Sequence, residues 1–194
     1  MKEIENKIKE LESIIQDSVV KLKEIKECLS IPTPLEYPKT FEAEDDLKKW
    51  LNENGIEYEW CYIFKNDDWK YADKQGFCHL YRDGIELTKG LKAKDVCSFD
   101  NADWKYTDLQ DFEHLIRNGI ELTKDLKATY VWSYNNYDWH YIDEQGFDHL
   151  IRNGVELTKN VKAKHVASFD NGAWIYQDTE GKWHEFDKDN NKIN

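Results

Sequence analysis

The stretch HLIRNGIELTK at residues 114–124 returns almost unchanged as HLIRNGVELTK at 149–159, and an earlier version, HLYRDGIELTK, stands at 79–89. The same spacing of 35 residues is kept by Trp69, Trp104, Trp139 and Trp174 and by Tyr71, Tyr106, Tyr141 and Tyr176. Asp73, Asp108, Asp143 and Asp178 complete a W-x-Y-x-D frame. Residues 96–130 and 131–165 agree at 21 of 35 positions, so this part of the chain is a tandem array. Small units repeated in this way cannot bury their apolar faces alone and must stack on their neighbours.

Each unit reads as two hairpins. In the second, VCSF and WKYTD are short alternating segments joined by the turn cluster DNAD, while HLIR and IELT are joined by Asn118-Gly119, a strong hairpin signal. A two-residue turn sets Arg117 opposite Ile120 and Leu115 opposite Leu122, a leucine pair that recurs as Leu80 with Leu87 and Leu150 with Leu157. Four short strands per unit follow.

The order W-x-Y-x-D then L-x-x-x-G-x-x-L-T, with one aromatic frame per unit, resembles the compact blades of bacterial β-propellers. It is also similar to the aromatic hairpin repeats of cell-wall-binding proteins, which use W-Y-x-x-D-x-x-G in shorter units. Gly76, Gly146 and Gly181 fit that D-x-x-G turn and Asp111 departs from it. The resemblance implies a mainly β tandem-repeat domain, propeller-like or an open hairpin stack. Units fall at about 61–95, 96–130 and 131–165, with a partial fourth at 166–194 whose WHEFDKDNNKIN lacks the Leu and Asn-Gly slots. A usual ring has about four to eight blades, so closure needs a second chain; otherwise the tail is a polar cap.

Ahead of the repeats lie two further segments. Residues 1–30 carry Ile4, Ile8, Leu11, Ile15, Leu22, Ile25 and Leu29 at alternating spacings of four and three, with Ser18 in the one gap. That is a heptad seam, predicting an N-terminal α-helical coiled coil and a homo-oligomer. A lone helix of this length is marginal in water. Packing of the seam on the chain's own second half is the alternative. Ile31-Pro32-Thr33-Pro34 stops the helix, because a residue before proline is pushed out of the helical region. Residues 31–58 form a linker and a short acidic helix over FEAEDDLKKWLNEN, with Thr40 as the expected N-cap, Phe41, Leu47, Trp50 and Leu51 as its buried stripe, and Gly55 as terminator.

Charge narrows the partners. Lys and Arg number 27 against 39 acids, a net −12. Residues 31–60 hold three Lys and eight acids, a disproportionate share. Such a balance argues against direct nucleic-acid binding and against an anionic membrane, and leaves a protein partner with a basic surface. No window approaches 18 apolar residues and the amino-terminal segment MKEIENKIKELE has no secretory pattern, so a cytoplasmic location is expected. Cys28, Cys61, Cys78 and Cys97 have no metal-ligand spacing and read as free thiols.

No nucleophile with a base and no phosphate loop stands out, so a non-enzymatic protein without metal or cofactor is expected. His79, His114, His149 and His184 recur one per unit, as do the frame aspartates, and recurrence in every unit points to fold. Binding residues belong at slots that vary. Trp132 stands where the other units have Tyr62, Cys97 and Ala167; Tyr137 where they have Asp67, Ala102 and Gly172; and His140 where they have Lys70, Lys105 and Ile175. Aromatics anchor interfaces, so these three form one candidate patch. The run Glu42, Glu44, Asp45 and Asp46 is a second candidate, for a basic partner. The function expected is an oligomeric protein-interaction module, in one version an inhibitor whose acids stand in for phosphates. The alternative is a carbohydrate-binding repeat, because Trp and Tyr faces also stack on sugars.

Overall fold

Residues 2–28 and 35–193 are described by a computed structural model, in which each repeat folds as one antiparallel sheet. The first sheet holds β1 (Tyr58–Ile63), β2 (Trp69–Asp73), β3 (Cys78–Arg82) and β4 (Ile85–Glu86). The second holds β5 (Asp95–Ser98), β6 (Trp104–Thr107), β7 (Glu113–Arg117) and β8 (Ile120–Glu121). The third holds β9 (Tyr130–Ser133), β10 (Trp139–Ile142), β11 (Asp148–Arg152) and β12 (Val155–Glu156). The fourth stops at three strands: β13 (His165–Ser168), β14 (Trp174–Gln177) and β15 (Trp183–Phe186). All strands within a sheet follow in sequence order, a meander that needs only short turns.

Local chemistry explains the hairpins. Asn118 and Gly119 both take the left-handed region, at φ 51° and 74°, the requirement of a two-residue primed turn. Arg117 then faces Ile120, and the Leu122 N–H donates to the Leu115 carbonyl at 2.8 Å, as the spacing predicts. At the other turn of each unit the frame aspartate does the work. Asp73 Oδ1 accepts the backbone N–H groups of Gln75 and Phe77, both at 2.9 Å, and Oδ2 lies 3.3 Å from His79 Nε2. The imidazole stacks on Tyr71 and meets Glu86 at 2.8 Å through Nδ1. Asp108–His114–Glu121 and Asp143–His149–Glu156 repeat this. Asp178 holds His184 at 2.8 Å in the fourth unit, where Asn191 stands in the Glu slot, and His184 Nδ1 is the one buried side-chain polar atom without a partner among the described residues.

Consecutive sheets are joined by recurring contacts. Ala93, Ala128 and Ala163 in the linkers are fully buried, and their carbonyls accept the N–H of Cys78, Glu113 and Asp148 on the third strand of the preceding sheet. Leu80, Leu115 and Leu150 are fully buried, each worth roughly 1.5–3 kcal/mol of transfer free energy. Leu80 shares a core with Ala93 of the linker and with Val96, Trp104 and Ile116 of the next unit; Leu115 and Leu150 do the same one and two units on. A polar clasp accompanies each core. Arg82 grips Asp68 by two nitrogens, at 3.0 and 2.6 Å, and Ser98 of the next unit donates to the same carboxylate at 2.5 Å. Arg117–Asp103–Ser133 and Arg152–Asp138–Ser168 are its copies. Among the described residues no hydrogen bond joins the fourth sheet to the first.

The second helix, α2 (Glu44–Glu53), packs on the first sheet through Leu47 and Leu51, both fully buried, with Phe41 and Trp50 half-buried beside them. Its start corrects the expectation of Thr40 as N-cap. The cap is Ala43 in extended conformation, without a side-chain bond. The physical reason is the aromatic cluster: Phe41 sits edge-on to Trp69 at 5.2 Å and Pro38 offers its carbonyl to Trp69 Nε1 at 3.2 Å, so residues 37–41 run as a strap and the helix begins beyond it. Gly55 ends the helix at φ 67° as expected.

The first 36 residues form a separate unit containing α1 (Lys2–Cys28). Ile8, Leu11, Ile15 and Leu22 of the seam are exposed, with Ile14 and Val19 beside them. Ser18 Oγ donates to the Ile14 carbonyl at 2.7 Å, so its hydroxyl is used within its own helix. The side chains of Ile4 and Ile25, and all of Leu29 and Ile31–Pro34, lie outside the described residues. The structure shows a helix with an apolar stripe; a coiled coil is not shown. Among the described residues no helix is long and apolar enough to cross a membrane.

Candidate functional site

The three variable-slot residues of the third unit go to different places. Trp132, on β9, is 42% exposed and packs edge-on against Phe99 at 5.3 Å, beside a groove of about 320 Å³ shared with Cys97 and Tyr134. Tyr137 is 57% exposed, and the Arg117 guanidinium lies 5.3 Å from its ring centre, a cation–π distance. His140 is paired with Trp132 in strand register but its ring points into the joint between units. It is buried, with Nδ1 2.6 Å from Asp148 Oδ1, while Asp148 Oδ2 accepts the Val166 N–H. In the earlier units Lys70 and Lys105 make this connection directly, donating to the carbonyls of Val96 and Val131 at 2.6 and 2.9 Å. His140 with Asp148 therefore replaces a lysine bridge.

The backbone of Tyr137 is that of its slot in every unit. Its φ is 65°, in the left-handed region that costs an L-residue roughly 1–2 kcal/mol, and Asp67, Ala102 and Gly172 share it at 66°, 68° and 81°. The slot ends the turn between the first two strands, where the Tyr137 N–H donates to the Tyr134 carbonyl at 3.0 Å.

Two exposed aromatics escaped sequence reasoning. Trp60 and Tyr62 on β1 are 42% and 45% exposed and line an open groove of about 470 Å³ with Phe64 and Lys70. Lys70 Nζ sits 5.0 Å from the Trp60 ring and 5.4 Å from Phe64. Tyr62 occupies the Trp132 slot, so the same comparison of units contains the signal. The first strands of the first and third units thus both present aromatic side chains.

The acidic run is exposed as expected. Glu44, Asp45 and Asp46 form the first turn of α2, where the helix dipole favours them, and Glu42 precedes it. Among the described residues only Asp45 of this run has a cation, Lys48 at 3.2 Å, and the Asp45 side chain is almost wholly in water. Such a pair is worth little.

Titration follows geometry. Glu86, with Asp73 opposing burial, raises the pKa of His79; burial opposes charge on His149, and Glu156 and Asp143 outweigh it to raise that one too. Burial raises the frame aspartates against their two turn N–H groups and the imidazole, which prevail and hold Asp73, Asp108 and Asp143 below the usual range. Burial pushes the Cys78 thiol up to about 11, leaving it unreactive near neutrality. Cys61, Cys78 and Cys97 are free, and no cluster of His, Cys, Asp and Glu among the described residues is arranged to hold a metal ion.

Comparison with solved structures gives a weak, propeller-type likeness. No family model matches the chain, and no curated protein matches it. Among solved structures the chain is similar to the WD40 β-propeller domain of Doa1, at 13% identity and TM-score 0.35, covering 65% of this chain and 49% of that one. YCF48 bound to D1 peptide matches at 12% and 0.35, over 64% and 52%. Virginiamycin B lyase from Staphylococcus aureus matches at 13% and 0.34, over 71% and 57%. The chain thus spans about half of each of these structures.

Proposed function

We propose that the protein is a non-enzymatic protein-interaction module whose repeat array offers exposed aromatic side chains to a partner. The observation that carries this reading is Tyr137, a large aromatic 57% exposed at a slot that holds Asp67, Ala102 and Gly172 in the other units. Trp132, Trp60 and Tyr62 supply further anchors of the residue types that dominate interface energetics.

Two finer statements belong to the same proposal. The partner has a basic surface, in one version the nucleic-acid-binding groove of an enzyme that this protein inhibits. The net charge of −12 and the exposed Glu42, Glu44, Asp45 and Asp46 support it. Copies associate through the exposed stripe of α1 as a coiled coil, and work in the cytoplasm as a multivalent platform. Light scattering of the full chain beside one lacking residues 1–30 tests the association: a defined oligomer that becomes a monomer supports it, and two monomers remove it.

The binding reading is tested with Tyr137→Gly. Relief of roughly 1–2 kcal/mol of backbone strain offsets the lost cation–π contact and the added chain entropy, so melting holds steady while capture of a basic protein falls. Unchanged capture removes Tyr137 from the site. Binding on a glycan array, with no protein captured, replaces the reading by the carbohydrate one.

A further inference from the structure

The four frame tryptophans differ in what their indole N–H meets. Trp69 Nε1 donates to the Pro38 carbonyl at 3.2 Å and Trp174 Nε1 donates to Asn190 Oδ1 at 2.9 Å. Both acceptors come from segments flanking the array. Among the described residues nothing accepts the N–H of Trp104 or Trp139, although each residue is more than nine-tenths buried. Neither nitrogen is among the sealed, unpartnered atoms, so both reach solvent. A largely buried indole N–H ordinarily has a partner.

Each of these two tryptophans lines a groove between consecutive units. The first groove, about 530 Å³, runs between Arg82 and Leu87 on one side and Trp104, Tyr106, Ile116 and Glu121 on the other. The second, about 570 Å³, is built from the same slots one repeat on, with Trp139 and Ile151 in place of Trp104 and Ile116. In the first unit the corresponding slots are Trp69, Tyr81 and Gly84, and there the chain's own strap is seated. Tyr37 stacks on Tyr81 at 4.6 Å and on Trp69 at 6.3 Å, and Pro38 satisfies the indole. The strap lies so close that a Cβ on Gly84 would come within 2.5 Å of the Tyr37 carbonyl, whereas at Gly119 and Gly154 nothing lies within 4 Å.

We propose that the grooves at Trp104 and Trp139 are two equivalent sites for an extended peptide segment carrying an aromatic residue followed by proline. The aromatic ring lies against Ile116 or Ile151, and the proline carbonyl accepts the indole N–H, as Tyr37 and Pro38 do in the first unit. Proline suits the position because its fixed φ lowers the entropy lost on binding and it has no N–H to leave unpaired. The partner is thus a protein with an exposed aromatic-proline stretch. This deepens the interaction reading and rests on it.

The probe is a capped peptide with the sequence of residues 35–42, LEYPKTFE, titrated into the full ¹⁵N-labelled chain while the four frame indole N–H signals are followed. Saturable shifts at Trp104 and Trp139, with Trp69 and Trp174 still, are expected. The double variant Trp104→Phe with Trp139→Phe keeps ring packing and removes the donors, weakening binding about fivefold per site, the worth of one net hydrogen bond. A peptide with alanine for its tyrosine and proline abolishes the shifts. The proposal is overturned by still indoles at millimolar peptide, by movement of Trp69 in step with the others, or by shifts with a chitin or cellulose oligosaccharide and none with peptide. A basic protein captured equally by the wild type and by the double Phe variant, yet lost with Tyr137→Gly, overturns the grooves and leaves the interaction reading intact.

Discussion

The joints inside the array and the two ends of the array use the same sequence slots differently. Inside, an aspartate, an arginine and the next unit's serine form the clasp at three successive joints. At the amino-terminal end the serine slot is Ile63, packed among the aromatics under α2. At the carboxy-terminal end the aspartate slot is Ala173, the arginine slot is Asp187 and the lysine slot is Ile175. Polar joint residues occur where a neighbouring unit completes them and are replaced in the fourth unit. Inside the array a buried carboxylate without its guanidinium would be costly, so each buried Asp comes with its Arg. The fourth unit therefore lacks the aspartate and arginine from which this clasp is built.

The largest effect should come from breaking an interior clasp. Arg117→Ala strands Asp103, whose side chain is 2% exposed, and should cost about 3–5 kcal/mol, lowering Tm on the order of 10 °C in a thermal melt. Lysine at that position should restore only part, because it cannot grip both oxygens. Next is Ala128→Val, which places two methyl groups in a fully buried linker slot; overpacking of about 1–3 kcal/mol is expected, read in the same melt. At the end of the array Ala173→Asp, which restores the interior residue type with no arginine to meet it, should shift stability by less than about 0.5 kcal/mol, since Ala173 is not buried. An equal loss for Arg117→Ala and Ala173→Asp would break the distinction between joint and end.

A smaller, graded effect is set by pH. His79 and His149 bind protons more tightly in the folded chain, so their contribution is complete below about 6.5, the unfolded value, and fades as pH rises through the folded values. The frame aspartates act in the opposite sense, contributing above about 3.9 and losing this as pH falls through their lowered values. Stability should peak between those limits, and Tm should decline from pH 6 toward 8. A Tm that rises over that interval would contradict the Asp–His–Glu geometry.

Much of this was legible because the repeat gives four readings of each slot. The period located Asn118-Gly119, the leucine pair and the turn role of Asp73 and its copies, since local hydrogen bonds and a two-fold side-chain alternation depend on near neighbours only. The clasp was harder to see. Asp68, Arg82 and Ser98 are separated by 14 and 16 residues and meet only when two sheets pack. Thr88, Thr123 and Thr158 recur as plainly as the leucines, yet their use, accepting the N–H of Leu80, Leu115 and Leu150 at 3.0 Å, depends on full burial. His140 looked like a surface aromatic because a lysine slot is ordinarily solvated. Here the lysines themselves are drawn under a neighbouring unit.

The sequence by itself determined the unit, its turns, its strand pairing and the two helices flanking its start, all products of short-range periodicity. Tertiary structure alone decided which side chains face a neighbour: which polar residues are consumed in joints, which aromatic rings stay exposed, and which tryptophans have an acceptor. Those distinctions rest on contacts between residues far apart in the chain, and two units with nearly the same words can differ in what lies against them.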